Sequence, residues 1–471
     1  MKFKNLLLTL AVVLLATHSF AQQDKIAWNE IYPQILQQIK QPVFKNATYN
    51  ITDYGAVAND SAVLNHEAIN RAIAKCSLNG GGMVLVPAGT WHTGPITLKS
   101  NVNLHLDKGV VLLFTTDTKY FPPVLTRWEG VDCYNLKPLV YAYGETDIAI
   151  TGKGTIDGAG SNDNWWKMCG ASHFGWKEGD ISQKIGRPKL LQWNNENVPV
   201  TERVLTAEDG MRPQLINLYL CKNVLIEGVT LLRSPFWVIH PLLCENVTVR
   251  DVKMINDGPN GDGCDPESCK NVLIEDCFFN TGDDCIAIKS GRNNDGRRWN
   301  KPSENIIVRN CEMKNGHGGV VVGSEITGGY RNLFVENCRM DSPELDRVVR
   351  IKTNTLRGGI IENIYVRNIE VGQCKIAVFS INLSYDPNEV GERGFMPFVR
   401  NVYLNDIRCQ KSQYGVWLSG LEEQENIENI SIKDCIFNNV EMGNLLKGEI
   451  GTIQLESLQI NGRSVSKLEN R

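Results

Sequence analysis

The chain has 471 residues, of which 42% are hydrophobic and 22% charged, with a formal net charge of −4. That composition supports a packed core and excludes a disordered chain. The acidic balance excludes bulk attraction to nucleic acid or to an anionic membrane surface, so any polyanionic partner must meet a local concentration of positive charge.

The N-terminus reads as a secretory leader over residues 1–21. Lys2 and Lys4 form its basic end, Leu6 to Leu15 its apolar run, and Ser19-Phe20-Ala21 a small-x-small cleavage site before Gln22. The apolar run is too short to serve as a membrane span. No cysteine follows the cleavage site, so no lipid anchor is expected. These features predict an exported protein, periplasmic or extracellular, without a membrane anchor. Residues 22–471 are expected to form one domain, with 22–80 as an N-terminal cap region. Trp28, Ile31, Ile35, Leu36 and Ile39 predict one helix there. Leu64, Ala68, Ile69, Ala72, Ile73 and Cys76 share one helical stripe and predict a second.

From Asn223 onward one short phrase recurs: Asn, apolar, x, apolar, x, a turn residue, then Cys, Val or Ile. Copies start at Asn223, Asn246, Asn271, Asn305, Asn332, Asn363, Asn401 and Asn429, and Asp147 opens a weaker relative. Alternation over five residues predicts a strand with one buried face. The turn residue five places on is always Gly, Asp or Asn, types that tolerate a left-handed backbone. A period in the twenties to thirties predicts a solenoid. Each copy carries further short apolar runs and no helical pattern, which predicts an all-β parallel β-helix with the asparagines stacked as a ladder. Seven of the fourteen cysteines fall at two fixed repeat positions, among them Cys277, Cys311 and Cys338, which alternate with Val and Ile. They are read as core thiols rather than disulfides. Cys133 and Cys169 lie outside the repeat.

Inside strand-like runs sit a few polar groups: Asp262, Asp283-Asp284, His317 between two glycines, and Arg350 with Lys352. Neighbouring coils of a β-helix lie about 4.8 Å apart. The groups fall in successive copies, so they are expected to form one patch about three coils long. Three carboxylates so close cannot all ionise freely, and one should have a raised pKa. A protonated acid beside ionised carboxylates suits glycosidic cleavage.

Asn260-Gly261-Asp262, Gly282-Asp283-Asp284, Gly316-His317-Gly318 and Arg350-Ile351-Lys352 resemble, in order, the four motifs of the polygalacturonases, glycoside hydrolase family 28. The resemblance implies a right-handed parallel β-helix that hydrolyses α-1,4-galacturonosyl linkages of pectin with inversion. It implies Asp283 as general acid, Asp262 and Asp284 as holders of the water, and His317 as the group keeping Asp283 protonated. Arg350 and Lys352 would grip a substrate carboxylate, with Asn260 beside them. Gly261 departs from the family's usual Thr and puts the packing around Asp262 in question. Lys289 and Arg292 lead a basic group that includes Arg297, Arg298 and Lys301, and are expected to bind further carboxylates.

An insertion from Asn162 to Gln214 carries Trp165, Trp166, Phe174, Trp176 and Trp193. Loops this long are commonly functional, although Trp165 and Trp166 are read as packing. With Arg127-Trp128-Glu129-Gly130 and Leu232-Arg233-Ser234-Pro235-Phe236-Trp237 it is similar to the exo-acting branch, so exo action is favoured over endo. The expected partner is a pectic polysaccharide or oligogalacturonide, bound by a monomer with no cofactor and no metal. A hydrolase of rhamnogalacturonan is the alternative enzyme, and a calcium-dependent pectate lyase fits the His and proton-donating acid less well. A non-catalytic β-helical glycan-binding protein is the alternative of another class.

Overall fold

The computed structural model describes residue 20 and residues 22–470. The expected leader lies outside the described residues except for Phe20. Among the described residues no helix is long and apolar enough to cross a membrane.

The repeat builds a right-handed parallel β-helix. Each repeat asparagine from Asn223 to Asn429 has a positive φ, between 54° and 63°. Its side-chain Nδ2 donates to the oxygen of the ladder residue one coil earlier. The series starts at Asp147, 2.9 Å from Asn223, and continues to Asn429, 3.2 Å from Asn401. Asparagine suits this place because its short amide bonds locally and tolerates the left-handed conformation. The turn residues also have positive φ, from Asp406 at 48° to Gly228 at 81°. There the chain leaves one sheet and enters the next, and the residue that follows, such as Val229, Cys277 or Ile407, is buried.

Three stacks of parallel strands result. The stack carrying the functional groups contains β1 (Ile239–Leu242), β2 (Ile286–Ile288), β3 (Val320–Gly323) and β4 (Arg347–Lys352). Cys264 bridges β1 to β2. One hydrophobic cluster runs from Ile51 to Leu468 through the coils. All fourteen cysteines are free and thirteen are buried. Cys133 is among the buried ones, and Cys169 is partly exposed.

The two N-terminal helices have different places. Helix His66–Leu78 closes the end of the stack, burying Ala68, Ile69, Ala72, Ile73 and Cys76, while Leu64 lies just before it. The earlier helical segment, Ala27–Ile31 and Tyr32–Gln38, does not cap the end. It lies along the outside of the stack formed by the strands of the repeat phrase, over a column of Leu273, Ile307, Phe334, Tyr365 and Tyr403. Trp28 meets Phe334 edge-on at 5.1 Å. That sheet carries apolar side chains on both faces, so its outer column needs cover.

Two excursions from the coils overhang the functional stack. One is an antiparallel hairpin, Pro123–Trp128 with Val131–Leu136. The other is the 162–214 insertion, with helix Gln183–Asn195. Trp128, Leu190, Leu205, Met211, Phe236 and Trp237 bind them together.

Candidate active site

Register fixes the site. Cys264 pairs with Ile286, Ile286 with Val320, and Val320 with Val349. Counting back two residues, Asp262 and Asp284 occupy one column with Gly318. Counting back three, Asp283 and His317 occupy the next, with Gly261. Counting forward three, Lys289 and Lys352 share another with Gly323. Val349 and Ile351 are in the core cluster, so alternation turns Arg350 and Lys352 outward. The two aspartates of the doublet thus belong to different columns.

Asp262, Asp283 and Asp284 each offer an oxygen within 4.8 Å of the others. That donor set could hold a cation, and lysines supply positive charge there. Lys352 Nζ donates to Asp284 Oδ2 at 2.7 Å, and Lys289 Nζ lies 3.5 Å from Asp262 Oδ2. Arg350 Nη1 sits 3.7 Å from Asp284 Oδ1 and donates to the His317 carbonyl at 3.3 Å. His317 Nδ1 donates to Asp283 Oδ1 at 2.9 Å, and the Asp284 amide donates to the same oxygen at 2.9 Å.

One carboxyl is raised, as expected, but it is Asp262. Burial and then the charge of Asp283 push Asp262 up to about 7, against Lys289. Asp283 goes the other way. Burial would raise it, but the His317 hydrogen bond and charge, helped by Lys352 and Lys289, bring it down to about 2. His317 is correspondingly pushed up to about 9 by the Asp283 hydrogen bond and charge, against burial. The proton of the Asp283–His317 pair therefore rests on the imidazole, which corrects the expectation that His317 keeps Asp283 protonated. Exposure explains the split: the His317 side chain is 54% exposed, whereas Asp262 is 3% exposed and backs onto buried Asp265.

Glycines permit this packing. A Cβ on Gly261 would meet Gly258 O at 2.5 Å, and one on Gly316 would meet Asp283 O at 2.5 Å. The first contact explains why no larger residue stands before Asp262.

The groups line a cavity of about 240 Å³, together with Asn260, Lys289, Arg292 and Lys352. Arg350 is not among the lining residues, although it stands 3.7 Å from Asp284, which is. Asn260 accepts from Arg212 Nη2 at 2.7 Å. Lys289 also faces Glu325 at 3.3 Å and the Trp237 ring at 4.5 Å. Arg292 pairs with Glu325 at 2.5 Å and Glu129 at 3.3 Å. The basic group after the doublet is thus opposed by several buried acids. It lies in the short helix Asn293–Trp299 and the turns beside it. Arg297 and Arg298 point away, to Leu356 O and to Asp132.

Glu325, Ser324, Arg187, Tyr385 and Asp386 also line the cavity, and no sequence signal singled them out. Glu129 and Trp237 belong to the two motifs noted beside the insertion. Of the insertion's aromatics, Trp165 is buried in the core cluster and Trp166 packs against it. None of the five lines this cavity.

An acid–imidazole–lysine cluster on the face of a β-helix suits glycosidic cleavage, and similarity to known proteins identifies a glycoside hydrolase. The family described as Glycosyl hydrolases family 28 matches residues 192–437. The chain belongs to this family. A hyperthermoactive exopolygalacturonase from Thermotoga maritima is 41% identical, with a TM-score of 0.88 over 93% of this chain and 96% of that one. An exo-poly-alpha-D-galacturonosidase of Dickeya chrysanthemi is 27% identical over 88% of this chain and 75% of its own. A probable polygalacturonase of Vitis vinifera is 29% identical over 79% and 70%.

Asp262→Asn tests the electrostatics. An acid raised to about 7 in the fold destabilises it as pH climbs from the unfolded value near 3.9 to 7. The variant is expected to melt higher than the parent at pH 8 and at nearly the same temperature at pH 4. Equal melting at both pH values would contradict the assignment.

Proposed function

We propose that this protein is an exo-acting, inverting polygalacturonase that releases galacturonic acid from the ends of pectic chains. The observation that carries the reading is the cavity itself. Acids and cations meet there, and the hairpin and the insertion wall it off through Glu129 and Arg187. Arg187 Nε holds Glu129 at 2.8 Å. A walled pocket admits a chain end and rejects a chain interior. The exo-acting relatives support the same reading.

Asp283 protonates the leaving oxygen, drawing on the proton stored at His317. An incoming uronate favours that transfer where it lies nearer Asp283, because its charge then raises the proton affinity of the more buried carboxyl more than that of the half-exposed imidazole. Asp262 and Asp284 hold the water, and Asp262 takes its proton. Lys289, Arg292, Arg350 and Lys352 receive substrate carboxylates. Arg292 lines the cavity with its guanidinium also facing Glu325, Glu129 and Glu389. The carboxylates stand closer than the 6.5–9.5 Å usual for inverting enzymes. Here two of them share the water on one wall, so no wide gap between two facing groups is required. The protein acts outside the cytoplasm, on the reading of its N-terminal leader.

Digestion of polygalacturonate with product sizing and NMR of the first-formed anomer tests this. Monomer released as the β-anomer is expected. A ladder of oligomers would sink the exo reading, α-anomer the inverting one, and loss of activity with chelator would point to a metal-dependent lyase.

A further inference from the structure

The column that holds Asp283 and His317 continues one coil further. Gly316 bridges Leu345, and the Asp346 amide donates to Gly316 O at 2.8 Å. In that register His317 stands opposite Asp346, with parallel neighbours about 4.8 Å apart and side chains on the same side. The imidazole is thus flanked by a carboxylate on each side along the stack.

His317 also separates two cavities. Its first face lines the cavity described above, with Asp283 and Asp284. Its second face lines a separate cavity of about 310 Å³ with Asp257, Glu344, Asp346 and Lys375. Asp346 faces Arg347 and Lys375, each at 3.9 Å, and accepts from neither at hydrogen-bond distance. Arg350 donates to the His317 carbonyl at 3.3 Å and stands 3.7 Å from Asp284. Around the second cavity the acids Asp257, Glu344 and Asp346 outnumber the lining cation Lys375.

We propose that Asp346 is a positioning residue for the acid step. From the second cavity its carboxylate orients the His317 ring toward Asp283 and favours the imidazolium that supplies Asp283 with its proton. This rests on the reading of Asp283 and His317 as the proton donor. It adds a residue from outside the four motifs and gives the second cavity a role, as the side from which solvent reaches His317 while substrate fills the first.

The test is the pH dependence of kcat in D346N and D346E. Removing the anion lowers the proton affinity of His317, so the alkaline limb of D346N is expected to fall by about one pH unit. On that limb kcat drops about tenfold, while below it kcat and KM stay close to the parent. D346E restores the limb; D346S serves the same comparison should D346N not fold. A structural role alone would lower the melting temperature and scale kcat equally at every pH. A D346N profile that superimposes on the parent's overturns the proposal while D283N remains inactive. An active D283N would instead overturn the reading beneath it.

Discussion

Asp283→Asn is expected to fold and to lose about 10²–10⁴-fold in kcat, the range that a general acid supplies. An amide cannot deliver a proton to the glycosidic oxygen. The substitution also removes the negative charge that helps hold the imidazole near 9, so His317 would titrate closer to its ordinary value. The stability terms oppose one another. His317, raised in the fold, contributes stability below its unfolded value near 6.5, and this is lost as pH rises through about 9. Asp283, depressed in the fold, contributes above its unfolded value of 3.8, and this is lost as pH falls through about 2. Both are therefore present together from about pH 4 to 6.5, where the variant loses most. Against this, the substitution removes a negative charge that strains Asp262. The exposed imidazole screens the pair, so the melting temperature should move by only a few degrees. Reducing-sugar release and thermal melting check both halves, and a variant within tenfold of the parent would refute the role of Asp283.

The repeat was legible because its signal is local. A ladder asparagine, two alternating apolar residues and a left-handed turn residue are set by bonds within one coil and to the next. The four motifs were legible for the same reason, since each sits beside a strand whose place the repeat fixes. Glu325, Arg187 and Tyr385 were not legible. They come from turns and the insertion, whose lengths differ from coil to coil: successive ladder residues stand from 23 to 76 apart, and only coordinates say which turn overhangs which strand. The helical segment Ala27–Gln38 shows the same limit, because an amphipathic stripe declares that it will be buried but not against which surface. The proton of the Asp283–His317 pair was misjudged for a related reason. Sequence gives the neighbours of a carboxyl, whereas its charge depends on how far each partner stands in water.

Arg127→Ala is expected to cost about 3–5 kcal/mol, the range for breaking a buried ion pair by deleting one partner. Arg127 is fully buried and donates to Asp132 at 2.7 Å and Glu267 at 2.9 Å. Asp132 keeps Arg298 and the Trp299 indole without it. Glu267 keeps only His240, at 2.9 Å, and burial holds that histidine below its ordinary pKa. The loss should therefore be smaller in mild acid, where His240 can take a proton and answer the orphaned carboxylate. Arg127→Met combined with Glu267→Gln removes both charges and should recover much of the stability. The functional consequence follows from position. Glu267 pairs in register with Lys289, so Arg127 ties the hairpin to the coil next to the one that carries Lys289, proposed above to receive a substrate carboxylate. The hairpin tip seats Gly130 O on the Arg292 amide at 3.0 Å and places Glu129 in the cavity wall. With that anchor gone the wall loosens, chain interiors gain access, and short oligomers should appear among the products. Denaturant unfolding and product sizing of the single and double variants measure both effects. Monomer-only release from a strongly destabilised Arg127→Ala would show that the hairpin stabilises the fold without closing the pocket.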